Sequence, residues 1–336
     1  MRVFIRKSQK EQYVLLVTIL AFAAMAILSS CSMPGSKIQE YSETRLLMGT
    51  TVSVTFFDTD QEHASRAMDH AFAAMEAVGV DMDKHTNDSE LSRLNRLGSM
   101  DVSPELLLNI KKALYYSNIS DGAFDITIEP VLRMWDRVKE TQKMPTPEEI
   151  NDSLQHVGWW KVNISENTVT LQDGMAIDLG GIAKGYAVDK GIESLQKDGI
   201  NDAIINAGGN MRTMGSKLGE PWTIALQNPR NSSDYITLIE VYNASISTSG
   251  DYERYFFLNQ TKVIHIADPR TGMSAQGVIS VTIVTSRGSL DSDALSTAVF
   301  VLGEEKGMQL IDSLDDVSGL IITQDREIHR SDRVLA

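Results

Sequence analysis

Asp293 and Thr297 stand four residues apart in the run Asp291-Ser-Asp-Ala-Leu-Ser-Thr297. On a helix that spacing puts one carboxylate and one hydroxyl on the same face. Hard oxygens of this kind suit Mg²⁺, which keeps waters or substrate phosphates in its remaining positions. The same residues also read as plain helix-start chemistry, with Asp291 capping and Asp293 favouring the dipole. A second segment, Met175-Ala-Ile-Asp-Leu-Gly-Gly-Ile-Ala-Lys-Gly185, runs an apolar strand into paired glycines and then a helix. Glycines admit close approach to the backbone, and a helix start offers free N–H donors to phosphate. Lys184 falls in the first turn, where the dipole disfavours a cation, so it makes sense facing an anion. The spacing is neither a dinucleotide fingerprint nor a P-loop, and a strand–turn–helix with a solvated lysine stays open.

Four more segments carry chemistry-bearing residues. His265-Ile-Ala-Asp-Pro-Arg-Thr-Gly272 ends an apolar strand on a histidine suited to acid–base work or phosphate contact, with Asp268 as an orienting partner. A purely structural histidine is the alternative. Asn206-Ala-Gly-Gly-Asn210 reads first as a tight turn. Ser247-Thr-Ser-Gly-Asp-Tyr-Glu-Arg254 is a polar turn feeding a strand, and Gly122-Ala-Phe-Asp-Ile-Thr127 a further turn whose Phe124 is pocket wall or core. Together they offer glycine turns, a lysine at a helix start, a hard-metal pair and a base. That set matches a site for a nucleotide pyrophosphate with Mg²⁺.

The elements that must position these residues are legible in outline. Thr50 to Phe57 reads as a strand, Gln61 to Val78 as an amphipathic helix, and Ser89 and Ser103-Pro104 open helices through Leu97 and Ile119. Pro145 to Gln155 reads as a helix, Val162 to Leu171 as a hairpin and Met175 to Leu179 as a short strand. Ile182 to Lys197 predicts a helix, Asp202 to Asn206 a strand, and Trp222 to Val284 several strands. Two helices, Ser289 to Leu302 and Glu304 to Ser313, precede a strand at Gly319 to Thr323. Interspersed elements without regular alternation give an α+β class of mixed sheets with flanking helices.

The 336 residues, 42% apolar and 23% charged, exclude a disordered polymer and a polytopic membrane protein. A formal charge of −14 argues against nucleic-acid binding. The single cysteine permits no internal disulfide and no thiolate cage. A basic start (Arg2, Arg6, Lys7, Lys10), an apolar run from Tyr13 to Leu28 and Leu28-Ser-Ser-Cys31 read as a lipoprotein signal over residues 1–30 with Cys31 as the acylated residue, the alternative being an uncleaved N-terminal anchor that exports the body equally. Each acyl chain contributes about 0.8 kcal/mol per buried methylene to anchoring. Residues 31–42 then read as a lipidated tether and 43–336 as the folded body. Losing four bases and one acid with the signal deepens the charge to −17. These features predict a membrane-anchored lipoprotein of the cell envelope, facing the periplasm.

The segments resemble, in order, those of the ApbE family of FAD:protein FMN transferases: Met48-Gly-Thr50, Asp88 to Asn95, Gly122 to Thr127, Asp178 to Asp189, Asn206 to Asn210, Ser247 to Arg254, His265 to Gly272 and Asp293 to Ala298. The resemblance implies a single T-fold-related catalytic unit with FAD in a cleft between lobes. It implies FAD as substrate, Mg²⁺ as cofactor, and transfer of FMN to a Thr or Ser hydroxyl with release of AMP. It places metal ligands at Gly181, Asp293 and Thr297. FAD contacts fall at Met48, His85, Ala123, Phe124, Asp125, Asp178, Lys184, His265 and Ala267. At His85 many relatives carry tyrosine. Expected partners are acceptor flavoprotein subunits of membrane electron-transport complexes (NqrC- or RnfG-like). The competing readings are an FAD pyrophosphatase giving FMN and AMP, and a non-catalytic FAD-binding lipoprotein.

Overall fold

A computed structural model describes residues 37–333. The described residues open with a hairpin of β1 (Gln39–Leu47) and β2 (Thr50–Asp58). Its two-residue turn is Met48-Gly49, with φ of 51° and 69°, the left-handed geometry that matches hairpin twist. Polar caps then set the helix starts. Asp60 accepts from the amides of Glu62 and His63 to open α1 (Gln61–Asp81), and Ser89 opens α2 (Glu90–Leu97), which Gly98 stops in the left-handed region. After β3 (Ser99–Asp101), Ser103 and Pro104 open α3 (Pro104–Ile119). α4 (Glu129–Thr141) and α5 (Pro147–Gln155) follow, the latter behind a capping box of Thr146 and Glu149. β4 (Asn163–Ser165) and β5 (Thr168–Thr170) form the expected hairpin, which pairs with β3.

The rest of the chain runs α6 (Ala183–Lys197), β6 (Ala203–Ala207), β7 (Asn210–Met214), β8 (Trp222–Asn228), β9 (Asn231–Val241), β10 (Ser245–Gly250), β11 (Tyr255–Leu258), β12 (Thr261–Ile264), β13 (Val278–Thr285), α7 (Ser289–Asp312), β14 (Val317–Thr323) and β15 (Ile328–Arg330). Among the described residues, eight strands form the main sheet in the order β1-β2-β6-β7-β10-β13-β14-β15. The paired glycines Gly208 and Gly209, with φ of 58° and 94°, make the β6–β7 turn, so that segment is a hairpin.

Every residue of β13 is buried, because both faces of the sheet are covered. Val281 and Ile283 join the large core with Phe72 and Met75 of α1, Ile192 of α6 and Phe300 of α7. Ile279 and Val284 face the other cluster, with Trp222, Ile224 and Val241 of the β8–β9 hairpin. The strict alternation slips at a bulge between Val278 and Ser280. A third cluster joins Val131, Met134, Trp135 and Val138 of α4 to Leu258, Val263 and Ala267 beside β11–β12. Trp135 Nε1 donates to the Gly272 carbonyl at 2.8 Å, tying the loop after His265 to α4.

Three expectations need correction. The tether read over 31–42 ends earlier, since β1 begins at Gln39 and Ser42 Oγ already lies 2.8 Å from Thr55 Oγ1 of β2. Met175–Leu179 is not a strand: Asn95 of α2 brackets Ile177, accepting from its amide at 2.7 Å and donating to its carbonyl at 2.8 Å. α4 was not expected, although its apolar residues recur at helical spacing. The two helices expected after residue 288 are both present: Gly303, at φ 79° and ψ −170°, breaks α7 at the boundary between them. The signal and Cys31 lie outside the described residues. No described helix is long and apolar enough to cross a membrane.

Candidate active site

Two helices that pack against one another build the centre of the site. α7 carries Asp293 and Thr297. Its rotation is fixed by two serine pairs against β10: Ser247 Oγ–Ser292 Oγ at 2.7 Å and Ser249 Oγ–Ser296 Oγ at 2.9 Å. With Ser292 and Ser296 held against the sheet, the next residue of each pair falls on the adjoining face, toward α6. Thus Ser247 to Gly250, read as a turn, belongs to β10 and serves as a register for the helix.

The starts of α6 and α7 cap each other. Neither has a side-chain cap of its own. Asp293 Oδ2 of α7 accepts from the Gly185 amide of α6 at 3.0 Å. Asp189 of α6 accepts from the amides of Ser289 and Leu290 of α7 at 2.7 and 3.0 Å, and from Arg212 at 2.5 Å. Both carboxylates satisfy orphan donors and complement the positive end of a helix dipole. Burial pushes the Asp189 carboxyl up, against the opposing pull of Arg212 and the two amides.

Gly185 permits this approach. A Cβ there would lie 2.2 Å from the Ser289 carbonyl oxygen and 2.8 Å from Leu290 Cα. Gly185→Ala is therefore expected to lower stability by about 3 kcal/mol, the upper end of overpacking penalties, and to displace Asp293. Thermal unfolding checks it; an unchanged melting temperature would show that the helices can part without penalty.

The glycine turn lies at the head of α6. Asp178 Oδ1 accepts from the Gly180 amide at 2.7 Å, and Lys184 Nζ donates to the Gly180 carbonyl at 3.0 Å. Lys184 Nζ also stands 3.7 Å from Asp293 Oδ2. A Cβ on Gly181 would lie 3.0 Å from the Phe124 ring and 3.6 Å from Thr297 Oγ1. Gly181, Phe124, Thr297 and Asp293 are thus brought together. Among the described residues no hydrogen bond falls on Asp293 Oδ1 or on the Thr297 hydroxyl. The donors are all hard oxygens, with no cluster of three His, Cys, Asp or Glu among the described residues. Such a set fits Mg²⁺ that retains waters or phosphate oxygens.

His265 follows β12 and lies near enough to Lys184 and Asp178 to feel their charges. Its Nδ1 lies 3.0 Å from the Arg254 carbonyl, which also accepts from the His265 amide at 3.0 Å. A carbonyl only accepts, so Nδ1 carries the proton and Nε2 presents a lone pair. The residue is exposed, yet desolvation by the surrounding protein pushes its pKa down to about 4, with Lys184 and Arg254 adding positive repulsion. The imidazole is neutral at ordinary pH. Arg254 also donates to the Gly49 carbonyl at 3.4 Å, joining the Met48-Gly49 turn to this wall.

Other expected residues are placed differently. Asp268 does not orient His265: its carboxylate is held by Arg270 through Nε and a second nitrogen, both at 2.8 Å, and the Arg254 carbonyl does the orienting. Asp125 is spent on local structure, accepting from the Thr127 amide and hydroxyl at 2.8 and 2.7 Å and from the Trp159 amide at 2.9 Å. Burial pushes that carboxyl up. Ala123 and Ala267 are buried, the first with its amide on the Ser120 carbonyl and the second bridged to Ser274. His85 is exposed, with its amide on Asp83 at 2.9 Å. Met48 packs on α1 at Gly79. Three residues were not singled out by sequence. Lys84 meets both Asp178, at 2.8 Å, and Glu129. Glu253, whose carboxyl is pushed up by burial against the pull of Arg254 and Lys184, lies in their field.

An α+β body carries a cation at a glycine turn, a hard-oxygen pair and a neutral histidine, donors and charges of the kind that suit phosphate oxygens. The ApbE family pattern matches residues 48–321. An FAD:protein FMN transferase of Vibrio cholerae is 31% identical over 305 residues, covering 88% of this chain and 90% of the relative. One from Haemophilus influenzae is 30% identical over 323 residues, covering 91% and 92%. The crystal structure of the ApbE protein from Thermotoga maritima superposes with a TM-score of 0.82 at 31% identity, covering 88% of this chain and 97% of that one. The flavin transferase ApbE from Vibrio cholerae gives 0.76 at 28%, covering 88% and 98%. The chain belongs to the ApbE family.

Proposed function

We propose that this cleft moves the FMN part of FAD onto a Thr or Ser hydroxyl of an acceptor protein. By homology the chain is an FAD:protein FMN transferase. The observation that carries the finer reading is the meeting of Lys184, the Asp293–Thr297 pair and the open Nε2 of His265 around one glycine turn. Lys184, already directed at the turn by the Gly180 carbonyl, places positive charge against the pyrophosphate oxygens. Asp293, Thr297 and the Gly181 carbonyl would hold Mg²⁺, which when bound supplies Lewis acidity and a template for the phosphates. The acceptor oxygen attacks the flavin-side phosphorus, a new P–O bond forms, and the bond to the bridging oxygen breaks. His265 Nε2 takes the hydroxyl proton, and AMP leaves with the bridging oxygen. The Arg254 carbonyl holds the imidazole in the tautomer this requires.

Incubating the folded body with FAD, Mg²⁺ and a candidate acceptor tests the reading. An acceptor heavier by one FMN unit, with AMP released, is the expected result. Free FMN plus AMP would make it a hydrolase, and unchanged FAD a binding protein; either overturns the proposal. Acceptors are sought among flavin-carrying subunits of membrane electron-transport complexes.

The sequence Leu28-Ser-Ser-Cys31 supports lipidation at Cys31 and anchoring to the envelope on the periplasmic side. Cys31→Ser is expected to abolish the cleaved, acylated form, read from the intact mass of the membrane-recovered protein. A parent protein whose mass shows residues 1–30 retained and no acyl chain would reject lipidation at Cys31.

A further inference from the structure

We infer that Lys84 is a positioning residue that holds Asp178, and through it the glycine turn, in the geometry that binds FAD. The inference rests on the placement of FAD at this turn. Lys84 lies between α1 and α2 with only 14% of its side chain exposed. Its Nζ sits 2.8 Å from Asp178 Oδ2 and also contacts Glu129 Oε2, two carboxylates that are themselves 16% and 6% exposed. Glu129 has a second partner in Arg133, at 2.9 Å, whereas Lys84 is the cation that reaches Asp178.

The lysine is held at its base. Ser92 Oγ of α2 donates to the Lys84 carbonyl at 2.8 Å. One turn further on, Asn95 of the same helix brackets Ile177, the residue before Asp178. One short helix thus fixes both ends of the Lys84–Asp178 pair. The pair continues into the site: Asp178 Oδ1 holds the Gly180 amide, the Gly180 carbonyl holds Lys184, and Lys184 faces Asp293. Removing the ammonium takes away the contact that holds Asp178 Oδ2, and it also leaves two shielded carboxylates facing each other, which costs stability. The lost contact by itself frees Asp178 to turn and release the Gly180 amide. Lys84 touches neither substrate nor reacting atoms in this reading; its effect passes through Asp178.

Four variants of the folded enzyme, compared by FAD KM, kcat and thermal unfolding, test this. Lys84→Met is expected to raise KM for FAD by about tenfold or more while kcat stays within about threefold, the signature of lost uniform binding. Lys84→Arg, which keeps a cation, should stay near the parent in both. In Lys84→Met with Glu129→Gln the repulsion is gone, so stability should recover while KM stays raised. That double variant also serves where Lys84→Met alone fails to fold. KM unchanged in folded Lys84→Met, or KM recovering together with stability in the double variant, would overturn the inference. Asp178→Asn separates the two layers. If it also leaves KM unchanged, the placement of FAD at this turn fails. If it raises KM while Lys84→Met does not, only the role of Lys84 fails.

Discussion

Asp293→Asn is expected to reduce FMN transfer by about a thousandfold, without restoration by added Mg²⁺, in a protein that still folds. The carboxylate does two separable things. Its Oδ2 caps α6 through the Gly185 amide, and its charge balances Lys184 and favours a hard dication. Asparagine keeps an oxygen for the cap and loses the charge. Lewis-acid assistance of several kcal/mol, at 1.36 kcal/mol per tenfold, corresponds to about three orders of magnitude. Asp293→Ala loses the cap as well and should cost a further ~1 kcal/mol of stability. AMP release measured across a Mg²⁺ titration, with thermal unfolding alongside, separates charge from cap. Turnover that persists in EDTA, or in Asp293→Asn, would remove the metal from the reaction.

His265→Ala is expected to lower kcat by a factor of ~10²–10⁴, the usual range for a positioned general base, with KM for FAD little changed. Loss of FAD binding with unchanged turnover at saturation would assign the ring to binding instead. The titration gives a second handle. With a pKa of about 4 in the fold, the imidazole stays neutral well below the ordinary histidine range. The acid limb of kcat/KM for the parent enzyme should therefore lie well below pH 6.5. The stability linkage has the same direction. Between about pH 6.5 and 4 the unfolded chain binds a proton at His265 that the folded chain does not, so stability is full above 6.5 and falls as pH drops toward 4. His265→Gln should flatten that slope. An acid limb near 6.5 in the parent would show that the ring is not desolvated.

Local rules made most elements legible. Ser89, Ser103-Pro104 and Thr146-Pro147 mark helix starts because a side-chain oxygen near the first turn is a strong local device. β1 escaped because it is an exposed edge strand with polar residues on both sides; Arg45 reaches Asp69 and lies over Phe72 of α1 instead of following any alternation. Met175–Leu179 looks like a strand since it is apolar, but its ladder is replaced by one asparagine side chain 82 residues away. In the site, Asp293 and Thr297 were readable from helical spacing. The partner of His265 was not, because a backbone carbonyl carries no sequence signature, and the nearby Asp268 offered a false one that Arg270 takes up. Lys84 was invisible for a related reason: its charge is matched by residues 45 and 94 positions further along the chain, and no local pattern encodes such a pairing.

The exchange of carboxylates between α6 and α7 bears on how the enzyme opens and closes. If either helix frays at its first turn, the other loses its terminal hydrogen bonds in the same event. The two are therefore expected to open as one cooperative unit. Amide hydrogens at Gly185, Ser289 and Leu290 should exchange through a shared opening, and the catalytic centre should be lost or kept as a whole.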